Sequence, residues 1–324
     1  MKIVVPDDFP AVLTGTPAEA SLRALGDVTV FTERGADRED ELIQRVDGAE
    51  AVLSIRAHSH FSERVLEACT SLRIISIWGT GTDNVDHAAC RARGISVTNT
   101  PGINANAVAE HAMALMLAVT RRIPEMDTKL RAGEWPRAML AQLEGKTLGV
   151  IGFGTIGRRV ATLASAFGMR VLAFPWGPDD GRAARVGARA VDLDTLLRES
   201  DIVSVHLRLM ADSEGFIGRE QIARMKPTAF LINTARGRIV EGDALVDALR
   251  AGRLAGAGLD VYLREPLPPD DPLLSLPNVV LTPHNAGTTP EVIEAGLAKA
   301  VENIAEFVRV RMRAPSETGV ERAS

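Results

Sequence analysis

TLGVIGFGTIGRRVATLASAFG, residues 147–168, decides the fold. An apolar run without polar alternation ends at Gly152, and Arg158 to Phe167 read as a helix. Between them three glycines stand in the spacing G-x-G-x-x-G. In that frame Gly152 permits a tight turn, Gly154 the close approach of a pyrophosphate, and Gly157 the packing of helix on strand. The N-terminus of that helix then presents free N–H groups and a positive dipole end to the phosphates. The same turn can join strand to helix with no ligand, so the surrounding pattern has to carry the reading.

That pattern extends over the whole chain. Short apolar runs at 3–5, 28–31, 51–55, 73–78 and 95–99 alternate with charged, helix-like segments. The alternation continues at 147–152, 171–174, 201–207, 229–234, 257–261 and 279–284. Strands of this kind separated by helices imply parallel sheets covered on both faces. Eleven strands are too many for one small sheet, which predicts an α/β protein of two doubly wound domains. Residues 104–131 read as one long helix. Residues 290–312 read as an amphipathic helix begun by Pro290, with Ile293, Leu297, Val301, Ile304 and Val308 on one stripe. The chain is expected to leave the first domain, build the second, and return.

Composition narrows the function. A chain of 324 residues with 46% apolar and 24% charged content is that of a globular protein. A net charge of −5 offers no basic footprint for nucleic acid. Cys69 and Cys90 form neither a CxxC nor a His/Cys cluster, so neither a disulfide framework nor a metal site is expected. The start MKIVVPDD lacks the apolar core of a signal peptide, and the apolar helix from Val108 to Val119 is too short to span a bilayer. The expectation is a soluble, cytoplasmic protein with no membrane partner.

One stretch resists the dinucleotide reading. In RVLAFPWGPDD (170–180), Pro175 and Trp176 stand where the second strand of such a unit usually delivers an acid to the ribose hydroxyls. An acid there would also repel a 2′-phosphate. A bent loop could return Asp179 or Asp180 to the ribose, Arg182 or Arg185 could pair with a 2′-phosphate, or all four could be solvated surface. NAD and NADP both remain open.

Three polar residues follow strand ends in the second half: Arg236, Glu265 and His284. Taken singly they read as a surface ion-pair residue, a loop acid and a turn histidine. Together they fit hydride exchange at a carbinol next to a carboxylate. Arginine grips a carboxylate with two donors. Histidine gives or takes the carbinol proton, and a glutamate orients the imidazole and favours its charged form. Asp260 could contact the nicotinamide end or serve as a structural turn acid.

GFGTIG (152–157), NTARG (233–237), LDVYLREP (259–266) and TPHNAG (282–287) resemble, in order, four signatures of the D-isomer-specific 2-hydroxyacid dehydrogenases. WGTGTDNVD (78–86) is similar to that family's substrate loop, and NTPGINANAVAE (99–110) to its interdomain helix. The resemblance implies a Rossmann nucleotide domain (100–287) inserted into a flavodoxin-like substrate domain (1–99 plus 288–324), with a cleft between them. It implies that Arg236 orients a small 2-hydroxy or 2-keto acid, that His284 is the acid/base, and that Glu265 is its partner. Arg56, Ala57, Trp78 and Gly79 would meet the substrate. Gly152, Gly154, Thr155, Ile156, Gly157, Pro175, His206, Thr234, Asp260 and Gly287 would meet the cofactor. A homodimer through the 104–131 region is also implied.

Formate dehydrogenases of the superfamily carry Gln where this chain has Glu265, which counts against formate. Arg208 stands where relatives often have proline and adds positive charge near the adenosine side, unless it simply faces solvent. Two alternatives accompany the main reading. Phosphoglycerate oxidation would need a cationic pocket, for which Arg56, His58 and His60 are candidates, although the C-terminal regulatory domain of many such enzymes is not seen. A dinucleotide-sensing corepressor-like protein would need a partner groove.

Overall fold

The structure, a computed structural model, describes residues 1–55, 58–177 and 180–313. The chain divides into two units, Met1–Ile103 with Pro290–Ser324, and Asn104–Thr289.

Unit 1 contains β1 (Lys2–Val5), β2 (Asp27–Val30), β3 (Ala51–Ser54), β4 (Ile74–Ile77) and β5 (Ser96–Thr98). They pair in parallel in the order β2-β1-β3-β4-β5. Alternation along each strand sends side chains to opposite faces. Val4, Val52 and Ile75 join one buried cluster, while Ile3, Val5, Leu53 and Ile74 join the other. Three helices start on side-chain caps: Thr16, Ser62 and Asp86 each accept from the amide three residues on. Pro290–Arg313 covers the second cluster with Leu297, Ala300, Val301 and Ile304, and Ser76 Oγ donates to Ala300 O at 2.8 Å. The predicted helix and most of its stripe are there. This strand order is the flavodoxin-like one, whose connections reverse direction between β1 and β3.

Unit 2 contains β6 (Thr147–Ile151), β7 (Arg170–Phe174), β8 (Arg189–Ala190), β9 (Ile202–Val205), β10 (Phe230–Asn233), β11 (Gly256–Leu259) and β12 (Val279–Leu281). The parallel order is β12-β11-β10-β9-β6-β7-β8. β6 pairs with β7 on one side and β9 on the other, so the connections reverse there. This is the Rossmann arrangement, with the glycine turn at the reversal. All eleven expected strands are present. β8, of two residues, is the addition, too short to carry a periodic signal.

The single helix expected over 104–131 is two helices, Ala105–Thr120 and Ile123–Arg131. Arg122 between them is left-handed at φ +50. Pro124 lies in the first turn of the second helix. Proline has no N–H to continue a helix but suits the start of one, and it disfavours helical geometry in the residue before it. The first helix buries Ala109, Ala112, Met113, Met116 and Val119 on the unit 2 sheet. Among the described residues, no helix is long and apolar enough to cross a membrane.

Candidate functional site

The glycine turn is built for close approach. Gly152 follows β6 at φ +89, and a Cβ there would lie 2.7 Å from the carbonyl carbon and oxygen of His206. A Cβ on Gly157 would lie 2.2 Å from Gly152 O, so glycine alone seats the helix this near the turn. Gly154 faces open space. It caps the helix Thr155–Ala166 without any side-chain hydrogen bond, which leaves that N-terminus open to an anion. Thr234, just past β10, has a buried hydroxyl with no partner among the described residues. A buried hydroxyl of this kind normally finds a partner. An open glycine cradle and an unmet hydroxyl, both at strand carboxyl ends, fit a dinucleotide. His206 bonds Ser204 Oγ through Nε2 at 2.8 Å, and burial pushes its imidazole down to about 4.

At the ribose end, Pro175 follows β7. Trp176 packs edge-on against Phe216, with ring centroids 4.8 Å apart, and Phe174 stacks on Phe216 at 6.0 Å. The indole is thus part of an aromatic cluster. Arg182 holds Asp180 through Nε and Nη2, each at 2.7 Å, and that pairing keeps the Asp180 carboxyl far below its usual range. Arg185 Nη2 donates to Asp180 O at 3.3 Å, and Arg208 is exposed. Asp179 lies outside the described residues.

Arg236, Glu265 and His284 are brought together. The buried Asn233 closes the turn after β10: its Nδ2 donates to Arg236 O at 3.0 Å and its Oδ1 accepts from Ala235 N. A Cβ on Gly237 would lie 2.0 Å from the Tyr262 carbonyl carbon, so the arginine turn lies directly on the turn that carries Glu265. Glu265 Oε1 accepts from Tyr262 N at 3.0 Å, and Oε2 meets His284 Nδ1 at 2.6 Å. Burial alone would raise the Glu265 carboxyl. The bond and charge of His284, the Tyr262 amide and the charge of Arg236 outweigh it, and the net shift is downward.

Asp260 does structural work in the same turn. Its fully buried carboxylate accepts from Thr282 Oγ1 (2.7 Å), Asn285 N (3.0 Å) and Ala286 N (2.9 Å). His111 Nε2 lies 2.9 Å from Thr282 Oγ1, and Tyr262 Oη donates to Thr282 O at 2.8 Å. These bonds hold His284 at φ +51, a left-handed conformation costing a non-glycine residue about 1–2 kcal/mol. Asn233, Tyr262, Thr282 and His111 received no role from the sequence. Asn233, Tyr262 and Thr282 stand inside quoted motifs, whereas His111 carries no local signal at all. A Cβ on Gly287 would lie 3.3 Å from Asn104 Nδ2.

In unit 1, Gly79 N donates to Thr100 Oγ1 at 2.8 Å and Gly79 O accepts from Thr100 N at 2.9 Å. The amide expected to meet a substrate carboxylate is therefore engaged within the unit. The Trp78 indole fills the space beside Gly296, where a Cβ would lie 2.1 Å from Nε1, so its contact is with the Pro290–Arg313 helix. Arg56 and Ala57 lie outside the described residues. His58 Nε2 lies 2.9 Å from Asp7 Oδ2, and His60 is exposed.

The family profile described as "D-isomer specific 2-hydroxyacid dehydrogenase, NAD binding domain" matches residues 113–286. The chain belongs to this family. It is 43% identical over 287 residues to a D-3-phosphoglycerate dehydrogenase of Archaeoglobus fulgidus, covering 87% of this chain and 54% of that protein. The chain thus spans about half the length of that relative. It is also 43% identical over 274 residues to a glyoxylate reductase of Korarchaeum cryptofilum, covering 83% of this chain and 82% of that one. Among solved structures it is similar to an acyclic imino acid reductase in complex with NADPH and D-Arg. That match has a TM-score of 0.85 and 31% identity, covering 96% of this chain and 98% of that one. The family's NAD binding domain thus falls within unit 2, where the glycine cradle lies.

Proposed function

We propose that this family member is an NAD(P)-dependent dehydrogenase that interconverts small D-2-hydroxy acids and 2-keto acids. The observation that carries the reading is the 2.6 Å contact between His284 Nδ1 and Glu265 Oε2, beside Arg236. With Nδ1 committed to the carboxylate, Nε2 is the nitrogen left to serve the carbinol oxygen. In reduction Nε2 gives its proton to the carbonyl oxygen, and in oxidation it takes the hydroxyl proton. Glu265 holds the ring and balances the charge of the imidazolium. Arg236 grips the substrate carboxylate and sets the angle of the carbonyl. The nicotinamide, when bound, supplies or accepts the hydride. Gly152, Gly154, Thr155, Ile156 and Gly157 would hold its pyrophosphate, and Pro175, His206, Thr234, Asp260 and Gly287 would line the rest, Asp260 through the loop it ties.

NADPH is accepted as well as NADH in this reading. Pro175 removes the acid that repels a 2′-phosphate, and Asp180 is neutralised by Arg182. A second copy of the chain is the proposed partner. In unit 2, Ile123, Leu130, Trp135 and Met139 are exposed apolar side chains that a second copy would cover. Phosphoglycerate oxidation stays a second reading because a relative bears that name. A dinucleotide sensor is not favoured, since the relatives this chain resembles are named as a dehydrogenase and a reductase.

The test is His284→Ala assayed with glyoxylate, hydroxypyruvate and pyruvate and either cofactor. Turnover is expected to fall by about 100-fold or more, while NADH and NADPH still bind by fluorescence titration. Near wild-type turnover would remove His284 from the chemistry.

A further inference from the structure

His111 is a polar residue on a helix face that otherwise packs as core. The helix Ala105–Thr120 carries the buried Val108, Leu115 and Val119, and His111 stands among them at spacings of three and four. Two glycines of β11 let this face lie close to the sheet. A Cβ on Gly258 would lie 2.9 Å from Leu115 Cβ, and one on Gly256 would lie 3.0 Å from Val119 Cγ2. Beyond β12, a Cβ on Gly287 would lie 3.7 Å from Val108 Cγ2. His111 meets the chain between these points, at Thr282, where the loop that carries His284 begins.

The network that His111 joins has a fixed direction. The Thr282 hydroxyl has one hydrogen, and it goes to Asp260 Oδ1 at 2.7 Å. Toward His111 the hydroxyl can therefore only accept, so the ring donates from Nε2 across 2.9 Å. A neutral ring with its hydrogen on Nε2 suffices for this bond. The other polar atoms of Thr282 are engaged in the same turn. Its N donates to Leu259 O at 2.9 Å, and its O accepts from Tyr262 Oη at 2.8 Å and from His284 N at 3.1 Å. Asp260 carries the tie onward to Asn285 N and Ala286 N. His284 thus lies between two anchors, Thr282 before it and the amides bound to Asp260 after it.

These anchors hold a conformation that the backbone does not favour. His284 is left-handed at φ +51, a region that a non-glycine residue occupies only where its surroundings impose it. A loosened loop would let the residue relax and draw the ring away from its 2.6 Å contact with Glu265 Oε2. Misplacing a reacting group by about 1 Å can cost roughly 100-fold in rate.

We propose that His111 is a positioning residue for His284. By donating to Thr282 it turns the hydroxyl hydrogen toward Asp260, and so keeps the His284 loop in its left-handed form. It acts through Thr282 and Asp260, not on the substrate. The consequence for catalysis rests on the dehydrogenase reading above.

The test uses the full chain with His111→Leu, which fills the site but has no donor, and His111→Gln, whose amide nitrogen can take the place of Nε2. With glyoxylate and either cofactor, His111→Leu is expected to lower kcat about tenfold with KM little changed, and His111→Gln to recover most of that loss. Thr282→Val breaks the same chain from its other end. The double variant His111→Leu/Thr282→Val should be no slower than Thr282→Val alone. An unchanged kcat in His111→Leu overturns the proposal, as does a His111→Gln equally slow or a double variant whose losses multiply. Should His111→Leu fail to fold, His111→Asn, with an amide too short for Thr282, takes its place against His111→Gln.

A second measurement is independent of turnover. Histidine ring 15N–1H correlation, with His111 assigned by its loss in His111→Gln, is expected to show the hydrogen on Nε2. The His284 ring signal, assigned by its loss in His284→Ala, should move in His111→Leu or His111→Asn and return in His111→Gln. A His111 ring bare at Nε2, or a His284 signal that stays in place, overturns the proposal. If the wild-type chain turns over no keto acid with either cofactor, the dehydrogenase reading fails, and the ring signals still decide whether His111 positions His284.

Discussion

His284 Nδ1 and Glu265 Oε2 meet at 2.6 Å, and the histidine that makes this contact has a left-handed backbone. The contact fixes which ring nitrogen faces the glutamate and which serves the substrate. Glu265 is held below the usual glutamate range, because the His284 bond and charge, the Tyr262 amide and Arg236 together outweigh burial. It therefore stays ionised throughout the neutral range and fixes the ring through Nδ1. Glu265→Gln removes the carboxylate that balances an imidazolium during turnover, so kcat for keto-acid reduction is expected to fall about tenfold or more, with KM changing little. Steady-state kinetics with one keto acid check this, and an unchanged kcat would remove Glu265 from the chemistry.

The same lowered carboxyl gives a stability prediction with a definite sign. A glutamate depressed on folding adds stability above its unfolded value, about 4.3, and that stability is lost as pH falls through the folded value. The wild-type chain should lose more stability than Glu265→Gln between about pH 5 and pH 3. Urea unfolding across that range measures the difference. Parallel curves would mean that the pair contributes no pH-dependent stability.

Asp260 was open between a nicotinamide contact and a turn acid, and its three donors all belong to the loop that carries His284. Asp260→Ala leaves Asn285 N and Ala286 N without their acceptor, at about 1–3 kcal/mol for each buried group left unpaired. The expected result is a lower Tm and a kcat reduced at least tenfold, with the NADH Kd nearly unchanged. A raised Kd with kcat preserved would return Asp260 to the cofactor.

What was legible in the sequence follows the range of the interactions. Strands such as AFLINT and the glycine turn write themselves in local pattern, because burial on both faces and close approach each demand particular residues in sequence. Arg236, Glu265 and His284 were legible as residues at strand ends. Their meeting depended on Gly237 and Asn233, whose roles are contacts with backbone that is distant or folded back. His111 reaches Thr282 across 171 residues, a link no local pattern contains. The helix break at Arg122 is masked in the pattern, because apolar periodicity continues past Pro124. The loop motif around Gly79 likewise gives no sign of Thr100, twenty-one residues on, which accepts from its amide.

His206 offers an acid-stability prediction of the opposite chemistry. Burial lowers its imidazole from about 6.5 to about 4. Between those values the unfolded chain binds a proton that the folded chain refuses, so stability falls as pH drops from about 6.5 to about 4. The contribution is on the order of 3 kcal/mol across that window. His206→Asn, which keeps a hydrogen-bonding group near Ser204 Oγ, should flatten this part of the curve. An unchanged slope in the variant would assign the acid sensitivity to other groups.

The ribose end gives the last prediction. Pro175 stands directly after β7, and the nearest described acid on its loop, Asp180, is held by Arg182 through two bonds. Neither is disposed to repel a 2′-phosphate. Pro175→Asp would place a carboxylate at the end of the strand, where it could accept from the ribose hydroxyls of NADH and would oppose the phosphate of NADPH. The ratio of kcat/KM for NADPH to that for NADH, measured with one keto acid, should fall at least tenfold. Trp176, packed on Phe216, keeps the turn in place in the variant, so a change in the ratio reports charge at that position. A ratio that does not move would place the adenosine ribose away from residue 175, and the selection of cofactor would then rest on Arg208, which follows β9.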